Sequence, residues 1–315
     1  MPASHSIDWS ARATDIDYAR VASLQFLGDY RRRLPVGMQR MMENALDWEH
    51  LPHVHASSFG QIECLDSGRW GWRAVAAPPQ PQDSPAANAP PQAGEAQILE
   101  LLVDHQAHYW ATAILAGPAA GIEIHTQATA LTAKDIEIEV RFYSAQPVDA
   151  VQVPLYYQVL REQYALLYDE DLLLMLGRQR ALDERAEYAA QAAARVPGSA
   201  GQCASTGTEI ALGQAQDLAA QAATGVGGIT VETPVGRVCV RHHRGQWWVH
   251  SALCPHQLGP LADACIDAEG AVTCPWHGYR FDLASGANLE GKCGSIAVAA
   301  SVIERAGVVY LVFAA

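Results

Sequence analysis

Residues 136–143 alternate without a break, with Ile136, Ile138, Val140 and Phe142 on one face and Glu137, Glu139, Arg141 and Tyr143 on the other. A period of two over this length predicts a half-buried strand. Ile122, Ile124 and Thr126 alternate in the same way with Glu123, His125 and Gln127. Apolar runs at 97–103 and 109–115, and two short runs at 60–66 and 69–75 around a Ser-Gly turn, predict further strands. From 153 to 195 the period lengthens, and Leu155, Val159, Leu166, Leu173 and Leu176 mark a long helix. A helix, an antiparallel sheet and this long helix make an α+β layer arrangement. From 229 to 315, short strands joined by Gly-rich turns predict a small all-β domain.

Two stretches of low complexity interrupt these patterns. Residues 77–96 (APPQPQDSPAANAPPQAGEA) are rich in Pro and Ala and are expected to form a mobile loop within the sheet. Residues 196–228 are rich in Gly, Ala, Gln, Ser and Thr and are expected to form a flexible linker with a short helix at 212–222. The expected domains are therefore 1–195 and 229–315, each with room for its own core in a chain of 315 residues.

The net charge is −13, and it is unevenly spread: 25 acids face 15 bases in residues 1–195, against 7 and 6 in residues 229–315. That balance disfavours a nucleic-acid partner. The start, MPASHSIDWS, has neither a basic nor an apolar signal region, and no run of eighteen apolar residues predicts a membrane span. Cys64, Cys203, Cys239, Cys265 and Cys293 are scattered without a disulfide framework and read as small buried hydrophobes. A reducing, cytoplasmic location is expected.

Two cysteines stand apart from these. Cys254-Pro-His256 and Cys274-Pro-Trp-His277-Gly alternate Cys with His in two loops marked by Pro and Gly. Two thiolates on one iron and two imidazoles on the other are the ligand set of a [2Fe–2S] centre of raised potential. A structural zinc site uses the same ligand types, but zinc fingers space them as C-x-x-C then H-x₃₋₅-H. The stretch CPHQLGPLADACIDAEGAVTCPWHGYRFD resembles the Rieske signature throughout. High-potential respiratory Rieske proteins carry an extra cysteine in each cluster loop; here Leu258, Gly259 and Trp276 fill those positions, so the resemblance is to the oxygenase and ferredoxin branch.

A second constellation is Glu43-Asn44-Ala-Leu-Asp47-Trp-Glu-His50-Leu-Pro-His53-Val-His55. Two imidazoles from one local element and a carboxylate from elsewhere make the facial triad of non-haem iron(II), with open positions for O₂. His50 and His55 converge if the helix ends or distorts near Pro52. The spacing N-x-x-D-x-x-H-x₄-H, present as Asn44, Asp47, His50 and His55, resembles the catalytic domain of Rieske non-haem iron oxygenases. The resemblance implies a helix-grip fold (START/Bet v1-like) with His50 and His55 as iron ligands. It also implies Asp47 as the carboxylate bridging a cluster histidine to an iron histidine. Its third ligand is an acid on the long helix, chosen as Asp171 in Tyr168-Asp169-Glu170-Asp171, with Glu170 as runner-up and His53 in reserve.

The order of domains is exchanged relative to the familiar oxygenases, in which the Rieske domain comes first. The resemblance implies a monooxygenase that uses O₂ to hydroxylate or demethylate a small organic, aromatic substrate, with a [2Fe–2S] cluster, a mononuclear Fe(II) and a trimeric assembly. No G-x-G-x-x-G segment follows a strand, so flavin and nicotinamide are assigned to a separate NAD(P)H-dependent reductase. The substrate pocket is expected between sheet and long helix, lined by His108, Trp110, His125 and Tyr143. The competing reading is a Rieske electron-transfer protein fused to a ligand-binding domain without catalytic iron.

Overall fold

The computed structural model describes residues 9–79, 95–194, 209–222, 227–233 and 236–313. The chain divides into two compact units, Met1–Leu176 and Gly177–Ala315. The mobile loop expected at 77–96 falls mostly on residues 80–94, outside those described.

In the first unit, a single-turn helix α1 (Tyr18–Val21) precedes strand β1 (Gln25–Leu34), helix α2 (Met38–Leu46) and the one-turn helix α3 (Leu51–Val54). Strands β2 (Gln61–Gly68), β3 (Gly71–Ala77), β4 (Gln97–Asp104), β5 (Tyr109–Ala116), β6 (Ile122–Ala130) and β7 (Ile136–Ser144) follow, and then the long helix α4 (Val153–Ala194). The seven strands form one antiparallel sheet in the order β1-β7-β6-β5-β4-β3-β2, and its packing against α4 is the helix-grip arrangement. The alternation read from β7 holds: Ile136, Ile138, Val140 and Phe142 are fully buried. Tyr168 and Met175 of α4 join them in the core. The helix is pinned near its start by Tyr157, whose hydroxyl donates to the Asp29 carbonyl at 2.7 Å. The ring fills the space beside Gly28, where a Cβ would lie 2.2 Å from it.

β1 is an addition to the expected strands. It carries Arg31, Arg32 and Arg33 in succession, which hides the alternation; only Leu27 and Leu34 within it are buried. The arginines are accommodated by acids: Arg31 meets Glu139 at 3.2 Å and Arg32 meets Asp169 at 2.5 Å.

In the second unit, β8 (Glu209–Gln214), α5 (Ala215–Ala222), β9 (Ile229–Thr233), β10 (Gly236–His243), β11 (Gln246–Ser251), β12 (Ala271–Thr273), β13 (Arg280–Asp282), β14 (Ala300–Arg305) and β15 (Val308–Phe313) form three small sheets, β11-β10-β9, β12-β13 and β14-β15-β8. The expected linker therefore contains a strand. Ile210 and Leu212 of β8 pack against Val238, Val240 and Leu311, and β8 pairs with β15. The helix begins at Ala215 instead of 212. The division between units falls within α4, because its last turns pair inside the second unit. Glu184 meets Arg237 at 2.5 Å, and Tyr188 donates to Glu232. No helix among the described residues is long and apolar enough to cross a membrane.

Candidate metal centres

The chain reverses between α2 and α3, and this reversal builds the first centre. Asp47 caps the end of α2, its N–H donating to the Asn44 carbonyl at 3.2 Å. His50 is the N-cap of α3 and His55 its C-cap, while Pro52 occupies the first turn, where its missing N–H costs nothing. One helical turn thus brings both imidazoles to one place. Asp171, on α4, completes the set. His55 Nε2 lies 2.9 Å and His50 Nε2 3.1 Å from Asp171 Oδ1, and the two Nε2 atoms are 3.3 Å apart. All three residues are buried.

Those separations fit a metal. A cation about 2.1 Å from three donors at right angles requires donor–donor distances of about 3.0 Å, against about 3.4 Å for tetrahedral angles. The triangle is closer to one face of an octahedron. Tautomers agree: His55 Nδ1 lies 2.7 Å from Glu170 Oε2, so it carries the proton and leaves the Nε2 lone pair facing Asp171 and His50. The three donor atoms converge, so a proton on His50 Nε2 would be held between them. Burial disfavours a charged His50, but its hydrogen bond to Asp171 and the nearby Asp47 outweigh burial and push its pKa up to about 10. Asp171, although buried, is held well below the carboxylate range by His50 and His55. A divalent ion can take the place of that proton.

The other expected residues have distinct positions. Glu170 lies on the far nitrogen of His55, outside the triangle, as a carboxylate that orients the ring. Its role could have been suspected from its place next to Asp171. Asp47 stands 3.9 Å from His50 Nδ1, close enough to act on the ring's charge but too far for a hydrogen bond. Asn44 is buried on α2, with Oδ1 unpartnered. His53 is exposed on α3 and is not part of the triangle. Replacing Glu170 by Leu is expected to weaken metal binding at the triangle by about 10- to 100-fold without removing a ligand, as measured by competition with a chelator.

The second centre is built from two loops with the same backbone design. In the first, Cys254 N–H donates to the Gly259 carbonyl at 2.8 Å, and Leu258 N–H donates to the Cys254 carbonyl at 2.9 Å. In the second, Cys274 donates to Tyr279 at 2.8 Å and Gly278 to Cys274 at 2.9 Å. Leu258 and Gly278 occupy equivalent places and share a left-handed conformation, φ 65° and 67°. Gly259 allows the loops to meet, since a Cβ there would lie 2.7 Å from Cys274 Sγ. Neither the equivalence nor Gly259's role follows from the ligand spacing alone.

The four side chains form two pairs. The His256 and His277 rings lie 4.5 Å apart, with His256 stacked on Tyr279. The two thiols hydrogen-bond to each other, so Cys274 is drawn down to about 5 while Cys254 is pushed far up. One buried pair cannot comfortably hold two negative charges unless a cation intervenes. A single tetrahedral zinc would gather all four donors around one point. Among the described residues, however, only His50, His55 and Asp171 bring three such donors within 4.8 Å of one another. Separate thiol and imidazole pairs suit two irons.

Between the sheet and the first half of α4 lies a cavity of about 540 Å³. Phe59 and Leu167 bring its wall toward the triangle. Phe59 lies one turn beyond His55, their rings 6.3 Å apart, and Leu167 is one helical turn before Asp171. The four residues expected to line the cavity do not. His125 and Tyr143 have the opposite strand parity from Ile124 and Phe142 and stand on the other face of the sheet, where His125 Nδ1 contacts Tyr109 at 2.8 Å. Trp110 is part of the core, and His108 lies in the β4–β5 turn. A larger opening near Pro52, His53 and Glu95 borders the chain on both sides of residues 80–94, so its extent is not that of an enclosed site.

Residues 208–298 match the family model described as the Rieske [2Fe-2S] domain, and with the paired ligands above this part of the chain is a Rieske domain. A stretch of 38 residues is 42% identical to pheophorbide a oxygenase, chloroplastic, of Oryza sativa subsp. japonica. It covers 12% of this chain and 7% of that protein. The Zhui aromatase/cyclase from Streptomyces sp. R1128 is similar in structure, with a TM-score of 0.39 at 12% identity, over 50% of this chain and 98% of that one. The ferredoxin of carbazole 1,9a-dioxygenase from Nocardioides aromaticivorans IC177 gives a TM-score of 0.29 at 22% identity, over 34% of this chain and 99% of that one.

Proposed function

We propose that this chain is the oxygenase component of a Rieske-type non-haem iron monooxygenase, which hydroxylates or demethylates a small organic substrate with O₂ and reductase-supplied electrons. The observation that carries the reading is the triangle of His50 Nε2, His55 Nε2 and Asp171 Oδ1, set beside a cavity in a chain that also holds a Rieske domain. Iron(II) held by these three would supply O₂ chemistry, and a cluster on Cys254, His256, Cys274 and His277 would supply single electrons.

The chain's own residues prepare the site for that chemistry. Glu170 fixes the tautomer and orientation of His55 through Nδ1. Asp47 biases the charge on His50 from the other side of that ring. Phe59 and Leu167 place apolar surface between the triangle and the cavity, which limits water near the reacting carbon. Electrons are assigned to a separate NAD(P)H-dependent reductase, since no dinucleotide-binding segment was found in the sequence.

The test is iron per chain after anaerobic reconstitution, with the wild type beside His50→Ala and Asp171→Ala. Three irons falling toward two in both variants, with an unchanged Rieske EPR signal, is the expected result. Two irons in every sample would instead leave a Rieske electron carrier fused to a ligand-binding domain.

A further inference from the structure

We infer that the thiol of Cys293 donates a hydrogen bond to Cys254 Sγ once Cys254 ligates iron, and that this bond raises the reduction potential of the cluster. The inference rests on the Rieske domain and on Cys254 as a ligand, and it is independent of the mononuclear iron. Cys293 lies beyond both ligand loops in sequence, is half-buried and takes part in no disulfide. Its thiol is in hydrogen-bonding contact with that of Cys254. Cys254, Cys274 and Cys293 do not, however, form a group of three donors within 4.8 Å of one another. Cys293 therefore stands beside the ligand pair, at its Cys254 end, and is not a third thiolate competing for the same metal.

The chain holds Cys293 in place from both sides. Lys292 N–H donates to Asn288 Oδ1 at 2.8 Å, and the Lys292 ammonium lies over the Tyr279 ring, 5.1 Å from its centroid. That ring is itself stacked on His256. On the other side Ile296 is fully buried, its N–H donating to the Gly286 carbonyl at 2.9 Å and its carbonyl accepting from Ser251 N–H at 2.8 Å. Between these anchors, a Cβ on Gly294 would lie 3.7 Å from Pro255 Cβ, so the segment runs along the first ligand loop. Ligation of iron takes the proton from Cys254, since only the thiolate binds. An ordinary thiol, with a pKa of about 8.5, keeps its proton at neutral pH, so the proton left in the contact is the one on Cys293. Reduction adds one negative charge to the cluster. A donor on a ligand sulfur favours that more negative form, and hydrogen bonds to the sulfurs are among the factors that set the potential.

The test is an EPR-monitored redox titration of the full chain. Wild type is set beside Cys293→Val, which keeps the volume and loses the donor, and Cys293→Ser, which keeps a donor. Cys293→Val should make reduction of the cluster about tenfold less favourable, a midpoint lower by about 59 mV. Cys293→Ser should stay within about threefold of wild type. An unchanged potential in Cys293→Val overturns the inference. So do equal shifts in Cys293→Val and Cys293→Ser, because packing and not a donor would then be the cause. Cys293→Ala serves if Cys293→Val takes up no cluster; loss of the cluster in all three variants would make Cys293 a ligand or a folding residue and overturn the inference as well. Cys254→Ala tests the premise separately: an intact Rieske signal there would remove Cys254 as a ligand, and the inference with it, whatever the Cys293 variants show.

Discussion

Asp171→Asn, which removes one charge and almost no volume, should weaken iron binding at His50 and His55 by at least about 1000-fold and abolish oxygenated product, with the cluster signal intact. The reason is geometric: a single oxygen, Oδ1, lies 2.9 and 3.1 Å from the two imidazole nitrogens, so it is the sole anionic donor of the triangle. The metal-free protein offers a second readout. His50 is raised from 6.5 to about 10, with Asp171 the leading cause opposing burial. A raised histidine contributes stability that is fully present below its unfolded pKa and is lost as pH rises through the folded value. Thermal unfolding of metal-free wild type should therefore show the first unit losing stability between about pH 6.5 and 10. In Asp171→Asn the burial remains and the main counter-charge is gone, so that loss should vanish, and stability should fall below about pH 6.5 instead. Superimposable pH profiles for the two proteins would remove Asp171 as the partner of His50.

How much of this was legible in the sequence depends on whether the controlling interaction is local. β7 was readable because Ile136, Ile138, Val140 and Phe142 face one core in strict alternation, and nothing else competes for them. β1 was not, because Arg31, Arg32 and Arg33 are paid for by acids far away in sequence, Glu139 and Asp169 among them. β8 was hidden for a related reason. It is short and lies between the linker-like compositions of residues 197–208 and 223–228, and its pairing partner is β15, at the other end of the second unit.

The sites follow the same rule. Ligand types and spacing pointed to His50 and His55, the family resemblance added Asp171, and the structure brings their donor atoms together. Spacing could not distinguish Asp171 from Glu170, since which acid faces inward depends on the rotation of α4 about its axis. The cavity lining went wrong at the level of parity. His125 and Tyr143 are chemically attractive residues on the strands that form the cavity, but their neighbours Ile124 and Phe142 are the ones that point toward α4. A period of two tells which residues share a face, but not which face meets the helix.

Cys274→Ala should erase the cluster's EPR signal and visible absorption and also destabilise the second unit, leaving residues 177–315 open to proteolysis while the first unit stays resistant. Its three small sheets have two or three strands each, and the loops that carry the ligands are joined by few backbone hydrogen bonds. Cys254, Leu258, Cys274 and Trp276 are nevertheless buried, which places the ligand loops inside the unit's packing and not on its rim. Metal ligation at such a point contributes directly to folding, because the unfolded chain offers no preformed site. Without a cation between them, Cys254 and Cys274 cannot both ionise in that buried space. Asp171→Asn and Cys274→Ala should thus fail in opposite ways, the first keeping the cluster without the mononuclear iron and the second losing the cluster while iron can still bind at the triangle. A Rieske signal surviving in Cys274→Ala would exclude that thiol as a ligand, and loss of the triangle's iron in the same variant would mean that the two centres are not built independently.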